Sequence, residues 1–139
     1  MKLNKRPVDQ TVADEGVWVE IYDASGENYG TYRIRYAVGD LKYRAAVQQI
    51  RKRLSKSEMF RLTGDKPDVE LAHKINVEAF CRSILIDWKD LPVDKLPAYT
   101  PEAAMEFLNA EPWLYDLIED EAARHANFRK EAQEAAAKN

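Results

Sequence analysis

The chain has 139 residues, 45% hydrophobic and 32% charged, the proportions of one soluble globular domain with one core. A single cysteine excludes an internal disulfide, and two histidines far apart in the chain, His73 and His125, do not make a zinc site. The formal charge of −3 conceals a bipolar arrangement: residues 1–32 carry −3, Arg33 to Arg61 carry +7, and Leu62 to Asn139 carry −7.

Residues 1–16 are polar and aperiodic and read as a loose arm. They contain no apolar core of a secretion signal, and no apolar run approaches the roughly 20 residues that span a bilayer, so the expected compartment is the cytoplasm. Val17 to Tyr22 (V-W-V-E-I-Y) is β-branched and aromatic, a strand. A turn with two glycines follows. Thr31 to Tyr36 then alternates, with Tyr32, Ile34 and Tyr36 on one face and Thr31, Arg33 and Arg35 on the other. The two segments make a β-hairpin, which needs helices or a third strand to be stable.

Gly39-Asp40 ends the hairpin, and Asp40 can cap the next helix. Tyr43, Ala46, Val47, Ile50 and Leu54 form its apolar stripe, with Lys42, Arg44, Arg51, Lys52 and Arg53 off it. Met59, Phe60 and Leu62 are expected to be buried. The densest apolar stripe lies in a central helix expected from about Asp68 to Trp88: Val77, Phe80, Cys81, Ile84, Leu85 and Trp88 recur at helical spacing. On that stripe Cys81 reads as a small buried hydrophobe. Pro92 and Pro97 impose a loop, and Thr100-Pro101 restarts a helix as N-cap and first residue. Ala104, Phe107 and Leu108 face inward from it. Pro112 opens the last helix, with Leu114, Leu117, Ile118, His125 and Phe128 on its inner stripe. The terminal run K-E-A-Q-E-A-A-A-K-N favours helix but offers nothing large to bury.

The expected fold is therefore α+β and a single domain over 1–139. A flexible arm (1–16) leads into a β-hairpin (17–37), open to a third strand. The hairpin packs with four to five α-helices (40–130), and a frayed tail (131–139) closes the chain.

No phosphate-binding glycine loop, dinucleotide fingerprint, zinc-protease motif or serine-hydrolase elbow occurs. Glu119-Asp120-Glu121 reads as a solvated face rather than an acid–base pair. Neither catalysis nor a cofactor nor a metal is expected. The basic helix from Lys42 to Lys56 is the best nucleic-acid signal, but the chain is acidic overall and carries no base-reading motif, so nucleic acid is not the expected partner. Trp88, Tyr99, Trp113 and Phe128 are large and stand near segment ends. They are either core or candidates for an apolar partner-binding patch.

Five stretches carry a family resemblance: E-G-V-W-V-E-I-Y (Glu15 to Tyr22), then L-K-Y-R-A-A (Leu41 to Ala46), then I-D-W-K-D (Ile86 to Asp90), P-A-Y-T-P-E-A-A (Pro97 to Ala104) and H-A-N-F-R-K-E (His125 to Glu131). In this order the chain resembles the tail assembly chaperones of long-tailed bacteriophages and prophages, over about residues 12–131. It departs from them at Val93-Asp94-Lys95-Leu96, which lacks the Asp-Gly turn that similar proteins often have. The resemblance implies a non-enzymatic protein that coats the tape measure protein, helps recruit tail tube subunits in the host cytoplasm, and is absent from the mature virion. Such families often make a second, longer product by ribosomal frameshifting. The charge asymmetry adds an expectation of weak head-to-tail self-association, with Arg51 and Arg53 of one copy facing Glu119 and Asp120 of the next. The alternatives are a small nucleic-acid-binding or regulatory phage protein, or a structural virion protein such as a connector or tail terminator.

Overall fold

The computed structural model describes residues 7–132. In chain order it comprises α1 (Gln10–Glu15), β1 (Val17–Tyr22), β2 (Asn28–Ile34), α2 (Leu41–Lys52), α3 (Lys56–Thr63), α4 (Val69–Ser83), β3 (Leu85–Lys89), α5 (Pro101–Ala110), α6 (Pro112–Ala122) and a 3-10 turn (His125–Phe128). The α+β expectation holds, and the hairpin does acquire a third strand. The sheet order is β1-β2-β3, antiparallel throughout.

The third strand corrects the reading of the central helix, which ends at Ser83 rather than Trp88. The cause is a bulge. Arg33 pairs with Asp87 while the next residue, Ile34, pairs with Leu85, so Ile86 is an extra residue on β3. The bulge sets Leu85 and Trp88, three positions apart, on the same face, opposite Ile34 and Tyr32. A spacing of three on a bulged strand imitates a helical stripe. Gly16, at φ 86°, lies against that bulge: a Cβ there would come within 2.9 Å of Ile86 Cδ1 and 3.0 Å of the Ile34 carbonyl.

The expected loose arm is also corrected where it is described; residues 1–6 lie outside the described part. Asp9 caps α1 through the Val12 N–H, and Ala13 is buried. The segment is tied down at both ends: the Asp9 N–H donates to the Phe128 carbonyl at 2.9 Å, and the Tyr36 N–H donates to the Ala13 carbonyl at 3.2 Å. The tail beyond residue 132 likewise lies outside the described residues.

The main core sits between the sheet and helices α4, α5 and α6. Val17, Ile21, Tyr32, Ile34, Phe80, Ile84, Leu85, Trp88, Leu108, Leu114 and Ile118 are all buried there. Aromatic rings interlock through it: Phe80 meets Tyr115 edge-on at 5.4 Å, and Tyr36 meets Phe128 at 5.1 Å. A second, smaller cluster lies between α2, α3 and α4. Only Ile50, Ile75 and Ala79 are fully buried in it, flanked by half-buried Tyr43, Val47, Leu54, Leu62 and Leu71.

Arg35, expected on the face of Thr31 and Arg33, is buried where the chain leaves β2. Its Nε donates to the Asp14 carbonyl at 2.8 Å, its Nη1 to the Ser83 carbonyl at 2.9 Å, and its Nη2 pairs with Asp40 at 2.7 Å. Asp40 in turn caps α2 through the Tyr43 N–H. One guanidinium thus joins α1, the end of α4 and the start of α2.

The basic stretch is two helices rather than one. Ser55 and Glu58 form a reciprocal capping box that starts α3, and this holds the Glu58 carboxyl below its ordinary range. Two further expectations fail. Phe60 is 76% exposed, because the inner side of α3 is supplied by Leu62 and Met59. His125 is exposed because α6 stops at Ala122, where Asn127 folds back and donates to the Glu121 carbonyl at 3.0 Å; the 3-10 turn then directs Phe128, not His125, inward.

Candidate functional site

Of the four aromatic partner candidates, three are built into the fold. Trp88 is 5% exposed, its indole N–H donates to the Pro97 carbonyl at 3.0 Å, and its ring meets Tyr99 edge-on at 5.4 Å. Phe128 is completely buried. Tyr99 is half-buried and structural: its hydroxyl donates to the Leu85 carbonyl at 2.5 Å and reaches that of Cys81 at 3.2 Å, so it seals the joint between α4 and β3. Burial pushes the Tyr99 phenol upward and the Cys81 thiol up to about 12, so Cys81 is a neutral core residue. Trp113 alone remains at the surface, 44% exposed, with its N–H on Glu111 and its ring edge-on to Tyr29 at 4.8 Å.

The structure adds surface residues that the sequence reading passed over. Trp18 is 40% exposed on the outer face of the sheet, with Lys89 of β3 lying 4.3 Å from its ring centroid. Tyr22 shares that face and hydrogen-bonds Glu20. The signal was present: in V-W-V-E-I-Y, burial of Val17 and Ile21 requires Trp18, Glu20 and Tyr22 to point away. Val38, Leu41, Phe60 and Val69 are further large apolar residues at the surface, all outside the main core.

The charged candidates also separate. Lys42, Arg44, Arg51 and Lys52 are exposed on α2, a helix without a single acidic residue. Arg53 is not free, pairing with Glu78 of α4 at 2.5 Å. Glu119 accepts the Tyr115 hydroxyl, and burial together with that carboxylate pushes the phenol upward. Asp120 is exposed. Between α2 and α4 lies an open groove of about 460 Å³, lined by Ala46, Gln49, Ile50, Lys52, Arg53, Glu78 and Arg82. Glu78 bridges both arginines, accepting from Arg82 Nε at 3.2 Å as well as from Arg53. Among the described residues no group of three or more His, Cys, Asp or Glu could hold a metal ion, and no helix is long and apolar enough to cross a membrane.

The site is thus a set of surfaces on an α+β domain. Residues 38–139 match the YdaY prophage protein family, and the chain belongs to that family. No curated protein and no solved structure matches it. The matched stretch begins just after β2, so it contains α2 to the end of the chain and omits α1 and the hairpin.

Proposed function

We propose that this prophage protein is a tail assembly chaperone, a non-enzymatic protein that covers the apolar faces of the tape measure protein and helps bring tail tube subunits to it. The supporting observation is that Trp18 and Tyr22 stand exposed on the same face of β1, with Trp113 exposed on α6, which leaves large aromatic side chains available to a client. The resemblance of the ordered segments to tail assembly chaperones and the membership of a prophage family support the same reading. It acts in the host cytoplasm during assembly, leaves before the virion is complete, and associates weakly with itself along its client.

A second reading, nucleic-acid binding, draws on α2, whose four exposed basic residues have no acidic neighbour on the helix. Co-expression distinguishes the two. With this protein present, the tape measure protein should become more soluble and co-purify, and Trp18→Ser with Trp113→Ser should weaken that rescue without unfolding the domain. A tape measure protein equally soluble alone, with a salt-sensitive gel shift on DNA or RNA, would favour the second reading.

A further inference from the structure

We propose that the groove between α2 and α4 is the seat for the acidic α6 of a second copy of this chain. The inference deepens the weak self-association proposed above and does not depend on the identity of the client. Three observations select the two surfaces.

The first is the groove. Lys52, Arg53 and Arg82 line it against a single acid, Glu78, over a floor of Ala46 and Ile50. Both arginines share one Glu78 oxygen, at 2.5 and 3.2 Å, which uses one N–H of each fork and leaves the others for a further carboxylate. Glu102 stands 3.7 Å from Arg82, beyond hydrogen-bond reach.

The second is the acidic element. Helix α6 carries Asp116, Glu119, Asp120 and Glu121 and no lysine or arginine. Glu119 is occupied by Tyr115, and Glu121 by Arg124 and Asn127. Asp116 and Asp120 are exposed and, among the described residues, form no ion pair.

The third is spacing. Asp116 and Asp120 are four apart on one helix face, about 6 Å from each other. The two guanidiniums converge on one oxygen, so their bonding nitrogens lie within about 6 Å as well. A pair of carboxylates therefore meets a pair of forks. This assignment replaces Arg51 and Glu119 of the sequence reading, since Arg51 is not in the groove and Glu119 is already engaged.

The contact is heterologous, each copy offering its groove to one neighbour and its α6 to another, so it extends instead of closing as a dimer. Sedimentation velocity of the full chain should show concentration-dependent association at 0.05 M salt that is about tenfold weaker at 0.5 M. Arg53→Gln with Arg82→Gln, and separately Asp116→Asn with Asp120→Asn, should each stay folded by circular dichroism and monomeric by sedimentation. Mixing the two variants should yield a 1:1 heterodimer and nothing larger, because only one intact groove and one intact α6 remain. Wild-type protein monomeric at low salt, unaltered association in either variant, or a mixture that stays monomeric would overturn the proposal. A wild-type monomer whose groove variant loses the tape measure protein would also overturn it, assigning the groove to the client. Loss of client rescue with self-association intact would instead count against the chaperone reading alone.

Discussion

The two apolar clusters of this protein are built to different standards. The main core encloses eighteen buried residues from every strand and from α4, α5, α6 and the 3-10 turn, whereas the cluster under α2 and α3 has three fully buried residues and relies on half-exposed ones. Burial of apolar area scales with stability, so the second cluster is the weaker cooperative unit. It is also the part that displays Phe60 and Val69 and the exposed bases of α2. The well-filled core displays Trp18, Tyr22 and Trp113 on its outer side, so exposed apolar side chains occur over both clusters while thin packing is confined to one.

The largest test of this contrast is Trp88→Ala. Removing a buried indole that also anchors the Pro97 loop should cost about 3–5 kcal/mol and lower the melting temperature of the whole domain. An unchanged melting temperature would mean that Trp88 is not part of the cooperative core. In the smaller cluster, Ile50→Ala should cost about 2–3 kcal/mol, near the low end for such truncations, because its half-exposed neighbours can close over the gap. Hydrogen exchange should then accelerate in α2 and α3 well before the sheet. Uniform acceleration over both clusters would show that they unfold as one. Ser55→Ala should cost only about 1 kcal/mol, the usual value of a lost N-cap, and should loosen α3 locally. A global loss of several kcal/mol there would contradict the division.

Local signals in the sequence were strong where side chains contact their own backbone. The limits of β1, the Asp40 cap, and the Thr100-Pro101 start of α5 follow from chemistry within a few residues. What eluded the sequence were features decided by distant partners. The end of α4 was hidden because the Ile86 bulge gives β3 a helical spacing, visible only once β2 is alongside. Helix α1 has one buried residue, the small Ala13, and so leaves no stripe. Arg35 alternates correctly for an exposed position, yet carbonyls from α1 and α4 and the Asp40 carboxylate converge on it. For the interaction surface, Asp120 was legible as exposed, but Trp113 was not separable from Trp88 and Phe128, since size and position near a segment end are shared by anchors and core residues.

The hairpin has a consequence for how the protein is dissected. The family match starts at residue 38, yet β3, inside that match, has β2 as its sheet neighbour, and Trp88 and Leu85 rest opposite Tyr32 and Ile34. The unit recognised by descent and the unit that folds are therefore not the same. A fragment cut at the family boundary would keep every residue that defines its kinship, but it would present a raw strand edge and an uncovered tryptophan to solvent, the combination most prone to aggregate. Any minimal version of this protein must carry its first 37 residues' two strands along with it, however little they say about ancestry.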